Sequence, residues 1–327
     1  MLRYVALAAF IAAGFGISPA FAQKEQLAVV LGGLDNPFFQ DIAAGCAKWN
    51  EEHPDADYEC VATGPKKSDN PADELKLIEE ALGTAAAVAF APATPGIPEL
   101  LASLKPSVPV VTLAGDFPPE SSSLRAAWVG SDDYQVGVEL ANLVVAGKPD
   151  GGTICLQLNS EQAVNINNRA AGTRDTLAGA KGTERLTGQN GWTEVDGCPL
   201  YAEDNPGTAN KQLAKVLSAN PKIDVIVLEG GWAMFDPKGF TKVIGKKVKA
   251  RVTKGDLVIV AADALPPQMD ALKAGRVTGL VAQLPSEIGR MAPDILISLI
   301  KGEAVSERNS TRLGVCTKDT AETCLSN

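Results

Sequence analysis

The chain has 327 residues, 45% hydrophobic, 21% charged and 5% aromatic, with a formal net charge of −9. This is a globular composition, long enough for about two domains. Apart from Lys246-Lys247-Val248-Lys249 it has no basic block, which excludes nucleic acid as a partner, because neutralising phosphates needs clustered Lys and Arg.

Residues 1–22 read as a secretory signal, with Arg3 as the positive start, an apolar run from Tyr4 to Ile17 and a small-x-small cleavage site at Ala20-Phe21-Ala22. The run is about 14 residues, short of the roughly 20 that span a bilayer. No cysteine follows it, so no lipid anchor is expected. The mature chain then starts at Gln23, and its expected location is a bacterial periplasm.

From Leu27 the pattern predicts alternating strands and helices. LAVVLGG is a short apolar run ending in two glycines, and Asn36-Pro37 opens a helix with a good N-cap followed by a proline at the first position. Phe39, Ile42, Cys46 and Trp49 share one helical stripe, whereas Phe38 lies off it at the loop end. Next come a strand near Tyr58 to Ala62 and a helix opened by Asp69-Asn70-Pro71. A buried strand from Ala85 to Phe90, a helix from Ile97 to Leu104 and a strand from Val108 to Leu113 follow. Apolar runs without alternation suit a parallel sheet covered on both faces. A polar, proline-rich loop then carries Asp116.

Trp128 to Gly130 is a short strand, and Ser131 or Asp132 caps a helix running to Val145. A second βα series starts at Thr153, and its first helix carries Asn167 and Arg169 near its start. Asp204-Asn205-Pro206 opens the next helix, and Ile223 to Leu228 is a strand ending in Glu229-Gly230-Gly231-Trp232. The strand from Leu257 to Ala261 has Asp263 just past its end. Gly279 to Ala282 leads into Gln283, and a helix covers Glu287 to Ile300. The segments starting at Asp69 and Asp204 both read Asp-Asn-Pro, helix, turn, buried strand, small-residue loop, as internal duplication would produce.

Six cysteines in an exported chain imply disulfides, and 15 pairings are possible. Proximity favours Cys46–Cys60 and Cys316–Cys324, and Cys155–Cys198 would then join two strands of the second half. Zinc is a poor alternative, since no C-x₂-C pair or nearby histidine exists. His53, the one histidine, reads as a solvent-facing turn residue.

Two α/β lobes present their strand ends to each other across a cleft, where ligands favour binding. The candidate ligand-binding residues are Asn36, Phe38, Phe39, Asp116, Asn167, Arg169, Trp232, Asp263 and Gln283. Carboxylates, amides and a guanidinium pair with hydroxyls, and rings take the apolar face of a sugar. Three of these residues also have plainer readings: Asp263 as a helix cap, Asp116 as a turn residue, Trp232 as a packing ring.

Asn36-Pro37-Phe38-Phe39, Val110-Val111-Thr112-Leu113, Gly130-Ser131-Asp132-Asp133-Tyr134, Val260-Ala261-Ala262-Asp263 and Val281-Ala282-Gln283-Leu284-Pro285 stand in that order. In them the chain resembles the periplasmic sugar-binding proteins of ABC transporters, of the ribose- and galactose-binding type. The resemblance implies an α/β fold of two similar doubly wound parallel-sheet lobes joined by a three-crossing hinge, the type I periplasmic binding protein fold. It places the crossings near Gly130, Gln283 and Leu313, with 23–130 plus 284–312 as one lobe and 131–283 plus 313–327 as the other. The family's asparagine and stacking rings fall on Asn36, Phe38 and Phe39, its cleft aspartate on Asp263 and its hinge glutamine on Gln283. Three departures stand out: Asn167 replaces the first arginine of an Arg-x-Arg-Gly motif, Ala114 replaces a carboxylate, and Gly230-Gly231-Trp232 replaces Asn-Asp-Glu. The implied ligand is therefore a sugar or polyol, without singling out ribose.

The resemblance implies a monomeric solute-binding protein that hands its sugar to an ABC permease, with no cofactor and no catalysis. A sensor docking onto a chemoreceptor or kinase is the alternative within the same fold. An enzyme is disfavoured: Gly32 to Pro37 lacks G-x-G-x-x-G spacing, no G-x-S-x-G elbow occurs, and one histidine leaves little for a triad.

Overall fold

A computed structural model describes residues 24–67, 71–94 and 96–325. The signal segment and the Asp69-Asn70 helix cap lie outside them.

The first lobe runs β1 (Glu25–Val30), α1 (Pro37–Glu52), β2 (Tyr58–Thr63), α2 (Pro71–Thr84), β3 (Ala87–Phe90), α3 (Ile97–Leu104), β4 (Val110–Leu113) and β5 (Ala127–Gly130). The second runs α4 (Asp133–Gly147), β6 (Gly152–Leu158), α5 (Val164–Ala178), β7 (Trp192–Glu194), β8 (Leu200–Tyr201), α6 (Pro206–Ala219) and β9 (Val225–Leu228). It continues with α7 (Pro237–Val243), α8 (Lys246–Lys254), β10 (Val258–Ala262), α9 (Pro266–Lys273) and β11 (Gly279–Ala282). The chain then returns to the first lobe for α10 (Pro285–Ile300) and β12 (Arg308–Ser310), and ends in the second with β13 (Gly314–Thr317).

Both sheets have the doubly wound order, β12-β5-β4-β3-β1-β2 in the first lobe and β13-β11-β10-β9-β6-β7 in the second, with β8 beside β6. The pairings are parallel except β11 with β13. Strands such as Val225–Leu228 and Val258–Ala262 are buried throughout, as continuous apolar runs require when helices cover both faces. In the first lobe one face carries Ile42, Trp49 and Ile288, and the other Ile78, Phe90 and Leu101.

Helix starts follow the sequence signals. Asn36 accepts from the Phe38 amide, Asp132 from Gln135, Asn205 from Thr208 and Asp236 from Gly239. Such caps satisfy amides that have no partner inside the helix. His53 is exposed at the C-cap of α1, its ring stacked on Trp49. The cysteines pair as Cys46–Cys60, Cys155–Cys198 and Cys316–Cys324, with Cα separations of 5.6, 5.5 and 5.1 Å.

The crossings orient the lobes. The chain leaves one sheet for the other after β5, β11 and β12, each time at the C-terminal end of a strand. Those C-terminal edges therefore face each other. One residue from each crossing ties the three together: Ser131 Oγ donates to the Gln283 carbonyl at 2.9 Å, Thr311 Oγ1 to the same carbonyl at 3.2 Å, and the two hydroxyls lie 2.9 Å apart. Ala114, Glu203, Asp204, Asp263 and Leu284 adopt left-handed backbone in loops just past β4, β8, β10 and β11. Non-glycine residues hold such conformations at a cost, commonly where a site is built.

Away from these edges the α2 helix offers a simple test. A Cβ at Gly83 meets nothing within 4 Å. Gly83→Ala is expected to raise unfolding stability by about 0.5–1 kcal/mol, the helical advantage of alanine, measured by denaturant titration.

Candidate ligand-binding site

Arg169 lies in the second turn of α5, just past β6, and is 4% exposed. A buried guanidinium needs partners for its N–H groups, and the surrounding strand ends supply them. Its Nε donates to Asp133 Oδ1 at 2.8 Å, Nη1 to the Glu229 carbonyl at 2.9 Å and Nη2 to Gln283 Oε1 at 2.8 Å. Gln283 passes the chain on, Nε2 to Asp263 Oδ1 at 2.5 Å. The Gly231 amide adds a second donor to the Asp263 carboxylate. Asp263 and Gln283 are 6% and 4% exposed. Burial pushes both the Asp133 and the Asp263 carboxyls up, and the Arg169 charge opposes it in each. Arg169, Gln283 and Asp263 thus form one hydrogen-bonded wall at the crossings.

Other candidate residues fall around or away from this wall. Asn36 caps α1, its Oδ1 accepting from the Phe38 amide at 2.9 Å. Phe38 and Phe39 are half-buried, edge-to-face with ring centres 5.9 Å apart. Phe39 closes over Gly32. These three sit at the C-terminal edge of the first sheet, past β1. Asn167, in the first turn of α5, gives its amide to the Glu161 carbonyl at 2.7 Å. Trp232 packs into the second-lobe core, and its indole N–H donates to Asp204 Oδ1 at 2.6 Å.

Asp116 serves the first lobe rather than the wall. Buried Arg125 holds its two oxygens at 2.6 Å each, Arg308 reaches Oδ2 at 3.2 Å, and Thr112 and the Phe117 amide donate to Oδ1. A carboxylate so fully engaged has little left for a ligand. Asp116→Asn is expected to cost about 3 kcal/mol of stability by leaving Arg125 under-paired, while ligand affinity changes less than twofold. Urea unfolding beside calorimetric titration checks both halves.

Sequence reasoning missed Asp133 and Glu229. Asp133 stands beside the Asp132 cap, and only the packing of α4 on α5 sets it against Arg169. Glu229 directly follows β9 and is fully buried. Thr173 Oγ1 stands beside that carboxyl but gives its proton to the Gly137 carbonyl at 3.2 Å, and neither Glu229 oxygen has a hydrogen-bond partner among the described residues. An acid directly after four apolar strand residues was the available signal. The two glycines that follow make room: a Cβ at Gly230 would lie 2.5 Å from the Trp232 ring, and one at Gly231 would lie 1.9 Å from Gln268 Nε2.

Burial pushes the Glu229 carboxyl up to about 7 from an ordinary 4.5, against the charges of Arg169 and Arg174. The folded state therefore holds this proton more tightly than the unfolded chain. Its stabilising contribution is complete below pH 4.5 and is lost as pH rises to about 7. Glu229→Gln is expected to flatten this slope and to be more stable than the parent at pH 8 by about 3 kcal/mol relative to pH 4.5. Unfolding curves across that range measure it.

Surface depressions of about 550 and 570 Å³ lie on the first lobe, around Lys66 and Lys76 and around Lys24 and Glu59, and share no residue with the Arg169 wall. Among the described residues no cluster of His, Cys, Asp and Glu is arranged to hold a metal ion, and no helix is long and apolar enough to cross a membrane.

Two doubly wound lobes, three crossings and a buried polar wall between facing strand ends agree with the comparison to known families. The profile of the periplasmic binding protein domain matches residues 27–304. The chain belongs to this family. Periplasmic binding proteins are binding proteins of transport systems, not enzymes. One curated relative is the ribose import binding protein of Salmonella typhimurium, 22% identical over 317 residues, covering 94% of this chain and 96% of the relative. A solute-binding protein of an Agrobacterium vitis ABC transporter, solved with bound D-fucose, superposes with a TM-score of 0.77 at 19% identity, covering 91% of this chain and 97% of that one. An Agrobacterium radiobacter carbohydrate transporter protein solved with D-arabinose gives 0.77 at 18% identity, covering 94% and 97%. At these identities the superpositions establish the periplasmic binding protein fold of two parallel-sheet lobes.

Proposed function

We propose that this periplasmic binding protein captures a neutral sugar or sugar alcohol between its lobes and delivers it to an ABC permease. The Arg169–Gln283–Asp263 wall carries the reading. It offers charged and amide groups for hydroxyls at the point where the chain crosses between lobes, and it faces the sheet edge that holds Phe38 and Phe39. Hydroxyls both donate and accept, so Asp263 and Arg169 can each engage them, and the rings cover an apolar sugar face. Relatives named for ribose import and folds solved with D-fucose and D-arabinose support the ligand class.

In this reading Asn36, Asn167 and Trp232 border the ligand, and Asp116 stays outside. The lobes 23–130 plus 284–312 and 131–283 plus 313–327 move as bodies about the Ser131, Gln283 and Thr311 crossings. Only the closed, sugar-loaded arrangement suits the permease, so the sugar shifts the balance towards it. The protein works as a monomer, exported by residues 1–22 and free of a lipid anchor.

Calorimetric titration against ribose, allose, fucose, arabinose, tagatose and myo-inositol should show saturable one-to-one binding of at least one. A panel without any response overturns the reading. Asp263→Asn should weaken that binding by roughly 10- to 100-fold, the worth of a hydrogen bond to a charged group. Asparagine is the informative substitution because it tolerates the left-handed backbone of this position (φ 73°).

A further inference from the structure

We propose that Glu229 is a positioning residue for the cleft: a proton on its buried carboxyl leaves the Arg169 guanidinium to Gln283 and Asp133, and loss of that proton draws the guanidinium away and weakens sugar binding. The inference rests on the reading of the cleft as a sugar site.

The geometry isolates one responsive pair. Glu229 is fully buried and its two carboxyl oxygens have no hydrogen-bond partner among the described residues. The charged groups around it are Arg169 and Arg174 from α5 and Glu194 from β7. Asp133 of α4 and Asp263 past β10 join the cluster through Arg169 and Gln283. Arg174 is already committed, because its Nε and Nη2 hold both Glu194 oxygens at 2.8 and 3.0 Å, and Arg185 lies 3.5 Å from the same carboxylate. Arg169, whose Nε and Nη2 hold Asp133 and Gln283, is the cation through which a charge on Glu229 reaches the cleft. It is tethered to the main chain of Glu229 itself by the 2.9 Å bond from Nη1, so the carboxyl and the guanidinium belong to one small unit.

A protonated Glu229 is a neutral neighbour and leaves Arg169 in its three bonds. An ionised Glu229 is a buried negative charge, and a low-dielectric interior makes it compete strongly with Asp133 and Gln283 for the Arg169 guanidinium. Each shift of Arg169 towards it loosens the Nη2 bond to Gln283, and through Gln283 the placement of Asp263. The sugar and the proton therefore favour the same arrangement. Linkage then requires reciprocity: if the proton tightens sugar binding, sugar binding must take up a proton. Burial holds the Glu229 proton up to about 7, so the exchange falls in a range where both forms can be populated.

The test uses the full protein and whichever panel sugar binds it. For the wild type, Kd should rise about tenfold between pH 6 and pH 8.5, within the usual range of coupling between sites. Titrations at pH 7 in two buffers of different ionisation enthalpy should show proton uptake on binding. Glu229→Gln, which keeps the shape and removes the titration, should bind with the same Kd at both pH values and take up no proton. A wild type that binds with a flat Kd and no proton uptake overturns the inference and leaves the sugar reading standing. Glu229→Gln with the wild-type pH slope also overturns it. Binding of no sugar at any pH overturns both.

Discussion

Arg169→Ala is expected to abolish detectable sugar binding and to destabilise the protein by about 3–5 kcal/mol, the usual cost of removing one partner from a buried ion pair. The variant strips Asp133 of its 2.8 Å partner, Gln283 of the donor that fixes its amide, and the Glu229 carbonyl of an N–H. Burial already pushes Asp133 and Asp263 up, and the Arg169 charge is what opposes it. Without that charge both carboxyls hold protons to higher pH, and Asp263 loses acceptor strength towards a hydroxyl. Arg169→Lys should rescue little. A single ammonium cannot present a planar fork to acceptors on α4, β9 and β11 at once. Urea unfolding and calorimetry on the same preparation separate the two effects. A variant that unfolds like the wild type and still binds would remove Arg169 from the centre of the site.

Strand-end residues were legible because the fold class was legible. Once apolar runs alternate with capped helices, Asp263 and Gln283 must stand at C-terminal strand ends and Arg169 at a helix start, and the structure joins the three in one chain of bonds. Asp116 satisfied the same rule and went elsewhere. What engages it is Arg125, nine positions on, and Arg308, whose strand pairs with β5 only after the chain has built all of the second lobe but its last strand. No local pattern encodes that return. Asp133 and Glu229 were hidden for a related reason, since their importance comes from helix packing and from burial without a partner. The short helices α7 and α8 carry too few turns for periodicity to show, and the short strands β7, β12 and β13 contain polar residues that suit an edge or loop equally well.

Gly137→Ala is the second substitution with a large expected effect, and its cause lies in the duplication of the two lobes. A Cβ at Gly137 would stand 1.9 Å from the Arg169 carbonyl oxygen, and one at Gly172 would stand 2.1 Å from the Tyr134 oxygen, so α4 and α5 touch backbone to backbone. The first lobe repeats the contact: Gly289 against the Ile42 oxygen at 1.9 Å and Gly45 against the Ser286 oxygen at 2.0 Å, between α10 and α1. The registers agree as well. Gly45 and Gly172 each stand nine residues beyond their helix caps, Asn36 and Ala163, and Gly137 and Gly289 each stand five beyond theirs, Asp132 and Leu284. In this register Arg169 corresponds to Ile42, and Asp133 to Pro285. The second lobe thus carries its buried ion pair where the first lobe carries packed apolar side chains, which is why one half of a symmetric frame supplies the polar wall. Backbone oxygens cannot rotate aside as a side chain would, so the added methyl of Gly137→Ala must push α4 off α5. Overpacking of this kind costs about 3 kcal/mol, more than the roughly 1 kcal/mol that alanine gains over glycine in a helix. The displacement also pulls Asp133 from Arg169 and strains the Ser131 crossing just before α4, so sugar affinity should fall at least tenfold, about 1.4 kcal/mol. Gly83→Ala, the same substitution in open space, should move stability the other way. A Gly137→Ala protein as stable as the wild type and with unchanged affinity would show that the helix pair is softer than its contacts imply.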